Sequence, residues 1–225
     1  MSDRLHRTRT LLGNDKIEKL QNATVMVFGC GAVGSFAIEA LARSGVGNII
    51  LLDFDVAEES NINRQLFATE STLGRKKINI AQERIADINP DINVTVFDIF
   101  FDEKSTLPVR PDFVIDAIDT VKSKIAIYRW CKQNNIPFIS SMGAARKTDP
   151  TKIKIDKISK TFACPLAATI RRAVRAERIG DFPVVFSTEL PAPHKSPTKD
   201  FGSIITVTGT FGLFMANYAI KKITA

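Results

Sequence analysis

Short apolar runs alternate with segments of helical spacing over the first two thirds of the chain. The β-branched run from Ala23 to Gly29 predicts a buried strand, Ser35 to Gly47 has the spacing of an amphipathic helix with a glycine stop, and Asn48 to Asp55 predicts a second buried strand. A strand, a helix and a strand in this order predict a right-handed crossover between parallel neighbours in a sheet that is covered on both faces.

The same alternation continues to about residue 143. The pattern predicts two more helices, at 74–89 and 123–135, and three more strands, at 92–98, 112–119 and 137–143. We therefore expect an α/β fold of the Rossmann-like, doubly wound type, with a mainly parallel sheet and helices on both faces.

From about residue 150 the pattern changes. The basic segment 152–158 (KIKIDKI), a basic helix near Leu166 to Arg178 and an apolar strand from Phe182 to Thr188 suggest an antiparallel extension of the sheet in the last third. Residues Pro191 to Asp200 are rich in proline and predict a loop.

The chain ends in an apolar segment, Phe201 to Ile220, that is about long enough to span a bilayer. Its threonine and glycine content and the following pair Lys221 and Lys222 favour a terminal helix packed in a protein core over a membrane span. We expect no membrane contact.

Length and composition indicate one globular unit. With 225 residues, 44% of them hydrophobic and 24% charged, the chain is expected to form a single domain, with a nucleotide-binding part at 1–150 and a substrate-side extension with the terminal helix at 151–225. Its three cysteines lack CxxC spacing, which excludes a disulfide framework and a four-cysteine zinc site. The start of the chain lacks the apolar core of a signal peptide, so we expect a cytoplasmic protein.

The first βα turn carries a phosphate-binding pattern. Gly29, Gly31 and Gly34 fit G-x-G-x-x-G between a predicted strand and a predicted helix, where bare backbone can approach phosphate oxygens. Asp53, at the end of the second strand, lies where a carboxylate accepts hydrogen bonds from ribose hydroxyls. Up to this point NAD and ATP fit equally well.

Positive charge beyond Asp53 favours ATP. Arg64 lies on the loop after the second strand and Lys77 at a predicted helix start, and two cations suit a triphosphate whose charge is redistributed as pyrophosphate leaves. Asp119 follows a buried strand at the edge where ligands bind, so it is a candidate ligand for Mg²⁺ on the phosphates. Asp116, in the same strand, is expected to cap or to orient.

These motifs together resemble those of the adenylating enzymes related to ubiquitin activation and to molybdopterin and thiamine sulfur-carrier activation. The residues that carry the resemblance are Gly29-x-Gly31-x-x-Gly34, Asp53-x-Asp55, Asn61-x-x-Arg64-Gln65, Lys77 and Asp119. The resemblance implies that Asp53 binds ribose, that Arg64 and Lys77 bind the triphosphate with help from Asn61, and that Asp119 holds Mg²⁺. It also implies a homodimer in which an N-terminal arginine, Arg7 here, crosses into the partner's site.

Segments outside the nucleotide motifs resemble the branch of this family that dehydrates threonylcarbamoyladenosine next to the anticodon of tRNA. They are 114–124 (VIDAIDTVKSK), 149–155 (DPTKIKI), 159–172 (SKTFACPLAATIRR), 184–189 (VVFSTE) and the terminal 201–222. The resemblance implies an acyl-adenylate without an enzyme nucleophile, and a partner from the sulfur-acceptor or cysteine-desulfurase system. The segment before Phe182 and the loop Pro191 to Asp200 are short for that group, and residues 196–200 (SPTKD) replace a cysteine that some members carry.

On charge alone, the net charge of +7 favours solvated faces and helix ends over a polyanionic substrate such as RNA, although clustered basic residues also suit RNA phosphates. Basic residues cluster at 4–9, 75–77, 152–160 and 171–178. The tRNA contacts that we favour are on the predicted basic helix: Arg171, Arg172, Arg175 and Arg178, which are expected to share nearly one face. A solvated face is the alternative.

Three other functions remain open from the sequence. One is adenylation of the C-terminal glycine of a ubiquitin-like carrier protein, which the missing zinc cysteines disfavour. The second is a non-catalytic scaffold with the adenylating fold, and the third is an NAD dehydrogenase. Cys30 is expected to be a small buried filler, and Cys164 to be buried rather than reactive.

Overall fold

A mixed β-sheet forms the centre of the molecule. The structure is a computed structural model, and it describes residues 3–193 and 201–225. The described residues form seven strands, which are β1 (Thr24–Phe28), β2 (Asn48–Leu52), β3 (Asn93–Phe97), β4 (Phe113–Asp116), β5 (Phe138–Ser141), β6 (Ile153–Lys157) and β7 (Pro183–Ser187). They also form seven α-helices, which are α1 (His6–Leu12), α2 (Asn14–Asn22), α3 (Gly34–Ser44), α4 (Lys77–Ile88), α5 (Val121–Gln133), α6 (Pro165–Ala176) and α7 (Ile205–Ile223).

The strand order is β3-β2-β1-β4-β5-β7-β6. β1 pairs in parallel with both β2 and β4, so that Val27 lies opposite Leu51 on one side and Ile115 on the other. The strand order therefore reverses between β1 and β4, and in open α/β sheets ligands bind at the carboxyl end of such a switch point. β6 runs antiparallel to β7. The expected Rossmann-like fold with an antiparallel extension is confirmed.

Apolar cores cover both faces of the sheet. Val25 and Val27 of β1 face the core formed with α3, α4 and α7, whereas Met26 and Phe28 face the core formed with α5 and α6. Successive side chains of a strand point to opposite faces, so a strand buried on both sides needs an uninterrupted apolar run. This explains why the run was readable from the sequence.

The terminal helix α7 lies against α3, because two of its glycines leave room for the contact. A Cβ on Gly212 would lie 2.3 Å from the carbonyl oxygen of Val33, and one on Gly209 would lie 3.1 Å from the ring of Phe36. The expected packing of this helix in a core is confirmed. Among the helices of residues 3–193 and 201–225, none combines the length and the apolar character that crossing a bilayer requires.

Two helices at the start of the chain were not foreseen. α1 and α2 are short, and only Ile17 and Leu20 of their residues are buried, so their apolar spacing is too sparse to be read as helical. Leu5 anchors this segment beside Gly45, where an added Cβ would lie 2.7 Å from the leucine side chain. The predicted loop Pro191 to Asp200 is described only as far as Pro193. Residues 194–200, which include the sequence SPTKD, lie outside the described part of the chain.

Gly212→Ala is expected to lower the free energy of unfolding by about 1–3 kcal/mol, since the new methyl group would press on backbone atoms that cannot move aside independently. Urea unfolding measures the change. The matched control is Gly202→Ala, where an added Cβ meets no atom within 4 Å. Equal stability of both variants and the wild type would contradict the described packing of α7 on α3.

Candidate active site

The three glycines of the first βα turn are under different steric constraints. Gly29 has a left-handed φ of +91°, and a Cβ on Gly34 would lie 1.7 Å from the carbonyl oxygen of Gly29. Only glycine at both positions therefore lets α3 begin directly over the end of β1. Gly31 is open, since its nearest neighbour is the side chain of Gln65, 3.7 Å from where a Cβ would be.

Backbone N–H groups in this turn are free to bind an anion. Those of Gly31, Ala32 and Val33 make no hydrogen bond to any described residue, while the N–H of Ser35 already donates to the carbonyl of Gly31, at 2.9 Å. Unpaired amides at the N-terminus of a helix, together with the helix dipole, are a common binding site for phosphate. The predicted phosphate turn thus has the required geometry.

Asp53 holds this turn to the end of β2. Its two carboxylate oxygens accept hydrogen bonds from the backbone N–H groups of Cys30, at 2.6 Å, and of Asp55, at 2.8 Å. Burial raises the pKa of Asp53 above its usual value, and the two amide hydrogen bonds oppose that rise. Asp53 therefore fixes the shape of the turn, and its binding of a ribose stays a prediction.

Lys77, a predicted triphosphate ligand, is paired with Asp55. Its ammonium group is nearly buried and lies 2.9 Å from the Asp55 carboxylate, which is half exposed. The N–H of Lys77 also donates to the carbonyl of Asp55, at 3.1 Å, so α4 begins at Lys77 rather than at Gly74. Asp55 positions this cation and balances its charge.

The loop after β2 carries the remaining predicted nucleotide residues. Arg64 is half-buried and donates to the carbonyl of Ser60, at 2.7 Å, and to the side chain of Asn63, at 2.8 Å. Asn61 is buried and accepts from the N–H of Glu58, which caps a short 3₁₀ turn. Asn61 therefore stabilises the loop itself, and the Arg64 guanidinium is hydrogen-bonded to residues of the same loop.

Asp119 lies beside the glycine turn. A Cβ on Gly29 would meet Ile118 at 3.0 Å and the carbonyl of Ala117 at 3.1 Å, and Asp119 follows directly. Its carboxylate is exposed, and the one hydrogen bond that it makes within the described residues is a long one of 3.5 Å from Thr120. The described residues contain no group of three or more His, Cys, Asp or Glu side chains that could hold a metal by themselves. A single free carboxylate suits Mg²⁺, which is typically held by one or two carboxylates and the phosphates of its substrate.

A buried polar network beneath Asp119 was missed by the sequence reasoning. Asp116 and Lys124 are fully buried and lie 2.8 Å apart, and Ser140 donates to the same carboxylate oxygen at 2.6 Å. Because Ser140 gives its one proton to Asp116, the Tyr128 hydroxyl is the donor in the 2.7 Å contact between the two hydroxyls. Burial raises the pKa of Tyr128 well above its usual value. The sequence did contain a sign of this network, because Lys124 has helical spacing to the apolar positions Ile127, Tyr128 and Cys131 and is therefore expected on the buried face of the helix.

Arg7 is the one arginine of α1 and its flank that lacks a partner among the described residues. Arg4 donates to the carbonyl of Ile88 at 3.1 Å, and Arg9 pairs with Asp3 at 2.9 Å, whereas Arg7 is exposed. Leu5, two residues before Arg7, lies beside Gly45, which directly follows α3, and this 11-residue helix is about 16 Å long. Leu5 is therefore at the end of α3 that is opposite to the phosphate turn.

The basic helix α6 differs from its prediction. It ends at Ala176, so Arg178 lies beyond it, in a left-handed conformation with φ of 53°. Arg171 is turned back onto Thr161, where it donates to the carbonyl at 2.7 Å. Arg172 and Arg175 are exposed on the helix. The expectation that four arginines share one helical face is therefore wrong, since one lies outside the helix and one is bound to the protein.

All three cysteines are buried. Cys30 packs in the core beside α3, and burial raises the pKa of its thiol well above the usual value, as does the neighbouring Asp53 carboxylate. Burial raises the pKa of Cys131 as well. The Cys164 thiol accepts from the N–H groups of Gly143 and Ala167 and caps α6. The predicted burial of Cys30 and Cys164 is confirmed.

Known proteins are similar to this chain over most of its length. The model of the ThiF family matches residues 4–225. A tRNA threonylcarbamoyladenosine dehydratase of Bacillus subtilis is 46% identical over 195 residues, which are 85% of this chain and 77% of the relative. A molybdopterin-synthase adenylyltransferase of Haemophilus influenzae is 30% identical, over 74% of this chain and 72% of that protein.

A solved structure extends the likeness to the whole chain. The Escherichia coli tRNA N6-threonylcarbamoyladenosine dehydratase in complex with ATP superposes with a TM-score of 0.91 at 36% identity, covering 98% of this chain and 93% of that one. The resemblance to adenylating enzymes that the motifs suggested is confirmed.

Lys124→Met is expected to lower the free energy of unfolding by about 3–5 kcal/mol, because it leaves the Asp116 carboxylate buried without a counter-charge. Chemical unfolding measures the loss. Asp116→Asn combined with Lys124→Met is expected to recover part of it, and Tyr128→Phe, which removes one hydroxyl donor, to lose only about 1 kcal/mol. A single variant Lys124→Met as stable as Tyr128→Phe would contradict this account of the network.

Proposed function

We propose that this chain, which belongs to the ThiF family, catalyses the ATP-dependent dehydration of threonylcarbamoyladenosine in tRNA. The observation that carries the proposal is the placement of free amides of the phosphate turn next to the exposed Asp119 at the β1–β4 switch point, in a chain that resembles dehydratases over nearly its full length. The amides and the carboxylate serve ATP, and the likeness through the last third supports the tRNA substrate.

In the first step an oxygen of the threonyl carboxylate attacks the α-phosphorus of ATP, and the bond to pyrophosphate breaks. The free amides at the start of α3 would hold phosphate oxygens, and Asp53 would accept from the ribose hydroxyls. Arg64 would leave the carbonyl of Ser60, and Lys77 would share its charge with Asp55, to stabilise the charge that develops on the pyrophosphate. Mg²⁺ held by Asp119 would supply further positive charge to the phosphates.

In the second step the carbamoyl group of the same nucleoside attacks the acyl-adenylate. AMP leaves with one oxygen of the former carboxylate, the carbamoyl group loses a proton, and the ring closes, so the nucleoside has lost one water overall. The attack is intramolecular, so proximity lowers its entropic barrier and no enzyme nucleophile is needed. Three buried cysteines, two of them with a raised thiol pKa, fit a mechanism without a thioester.

The working enzyme would be a cytoplasmic homodimer. Arg7 follows Leu5, which lies at the end of α3 opposite to the phosphate turn, and it has no partner among the described residues, so it would act on ATP bound by the second subunit. A protein of the sulfur-acceptor or cysteine-desulfurase system is proposed as a further partner by family resemblance.

Adenylation of a carrier protein is the second candidate, and the likeness to the molybdopterin-synthase adenylyltransferase favours it. The two reactions share the first step and differ in the acceptor. Pyrophosphate exchange that depends on a carrier protein with a C-terminal glycine and ignores tRNA would identify this second reaction.

Incubation with ATP, Mg²⁺ and tRNA that carries threonylcarbamoyladenosine is expected to remove one water from that nucleoside, detected by mass spectrometry of the digested tRNA. Asp119→Asn is expected to lower the rate by about 100-fold or more, since a charge that acts on the transition state is lost. Cys30→Ala, in the neighbouring glycine turn, is the control and is expected to retain nearly full activity. An unchanged nucleoside mass, under conditions in which a known dehydratase works, would sink the proposal.

Arg7→Ala and Asp119→Ala, each inactive alone, are expected to regain about one quarter of the wild-type activity when co-expressed. Half of the randomly assembled dimers are then mixed, and each of these has one complete site. Arg4→Ala, whose arginine has a partner in its own chain, serves as the control and is expected to be active alone. Absence of recovery in verified mixed dimers would show that Arg7 does not act across the interface.

A further inference from the structure

An exposed phenylalanine stands at the carboxyl edge of β7, outside the nucleotide crevice. Phe162 has 51% of its surface exposed and packs edge-to-face on the buried Phe186, with ring centroids 5.7 Å apart. The ammonium group of Lys154 lies 5.6 Å from the centre of the Phe162 ring and 5.3 Å from that of Phe186. We call Phe162 and Lys154 the aromatic–lysine pair.

The short segment that presents Phe162 is held at three points. Arg171 donates to the carbonyl of Thr161 at 2.7 Å, Lys147 donates to the carbonyl of Ala163 at 3.1 Å, and the Cys164 thiol accepts from the N–H of Gly143 at 3.3 Å. Ala163 has a φ of 53°, a conformation that residues other than glycine adopt rarely and mainly where the surroundings enforce it. The protein thus fixes a strained turn and leaves a large apolar ring at its tip in water.

The aromatic–lysine pair shares an edge of the sheet with the nucleotide crevice. Phe186 lies near the carboxyl end of β7 and Asp116 at the carboxyl end of β4, with β5 between the two strands. Two strand spacings, or about 10 Å, separate these two strands, and Lys154 of the pair lies on β6, one spacing further out, at about 14 Å. A polynucleotide with one nucleoside at the crevice would therefore pass this pair with a neighbouring nucleotide.

The surroundings of the pair are basic. Lys152, Lys157 and Lys160, which are near the pair in sequence, are exposed, and among the described residues the one carboxylate within ion-pair distance of Lys154 is that of Asp156, at the limit of 4.0 Å. Lysines on an edge strand such as β6 also prevent unwanted strand pairing. That role does not account for an ammonium group stacked over an exposed ring.

On the premise of the proposed tRNA substrate, we propose that the aromatic–lysine pair binds the anticodon loop. Phe162 stacks an unpaired base that neighbours the modified nucleoside, and Lys154 contacts the adjoining phosphate. Proteins recognise single-stranded RNA by stacking splayed bases on aromatic rings beside cations that follow the backbone. Arg171 then acts as a positioning residue, since its guanidinium fixes the turn at Thr161.

Direct binding of an anticodon stem-loop, measured without ATP, tests this surface independently of turnover. Phe162→Leu keeps the apolar bulk and removes the ring, and we expect it to weaken binding about ten-fold, whereas Phe162→Trp restores it. Lys154→Met is expected to weaken binding and to lower the salt dependence by about one ion, and Lys16→Met, an exposed lysine of α2, to change neither. The ATP-induced rise in melting temperature is expected to stay unchanged in all four variants.

Wild-type affinity of both Phe162→Leu and Lys154→Met for the stem-loop would overturn the assignment. Equal weakening by Lys16→Met would also overturn it, since binding would then follow total charge. If the wild-type protein binds the stem-loop through Phe162 yet removes no water from the nucleoside, the proposed reaction fails and the binding surface stands.

Discussion

The close approach of Gly34 to Gly29 is the constraint on which the site depends. A Cβ on Gly34 would lie only 1.7 Å from the Gly29 carbonyl oxygen, so no other residue lets α3 start over the end of β1. That start leaves the N–H groups of Gly31 to Val33 without a partner among the described residues, and the Asp53 carboxylate holds the turn in this shape from β2. The predicted anion site is therefore preformed, which would spare phosphate binding the entropy of ordering the turn.

The cations near this turn are held in a different way. Lys77 rests on Asp55, and Arg64 rests on the carbonyl of Ser60 and the side chain of Asn63. The present partner of each cation carries less negative charge than a triphosphate does. We therefore expect Lys77 and Arg64 to move from these partners to the triphosphate when ATP binds. Asp119 makes one long hydrogen bond within the described residues, and it comes three residues after Asp116, whose ion pair with Lys124 is completely buried. The hydrogen bonds of Arg64 and Asp119 are exposed and that of Lys77 is partly buried, and the roles of these charges in catalysis stay predictions.

Much of the fold could be predicted from the sequence, because buried parallel strands such as Val25 to Phe28 need apolar residues on both faces. The phosphate turn and Asp53 were also readable, since glycine spacing after a strand has a geometric cause. The Asp116–Lys124–Ser140 network was not, because its members lie on three elements that only the tertiary fold brings together. The prediction that the α6 arginines share one face was wrong for local reasons. Arg171 donates to the carbonyl of Thr161, and the helix ends before Arg178.

The central claim is that the threonyl carboxylate itself is adenylated. Modified tRNA in which that carboxylate carries heavy oxygen tests it most directly, with the released AMP analysed by mass spectrometry. We expect one heavy oxygen in AMP for each nucleoside that loses water, because the oxygen lost from the carboxylate leaves bound to the α-phosphorus. Unlabelled AMP formed alongside the dehydrated nucleoside would contradict the account.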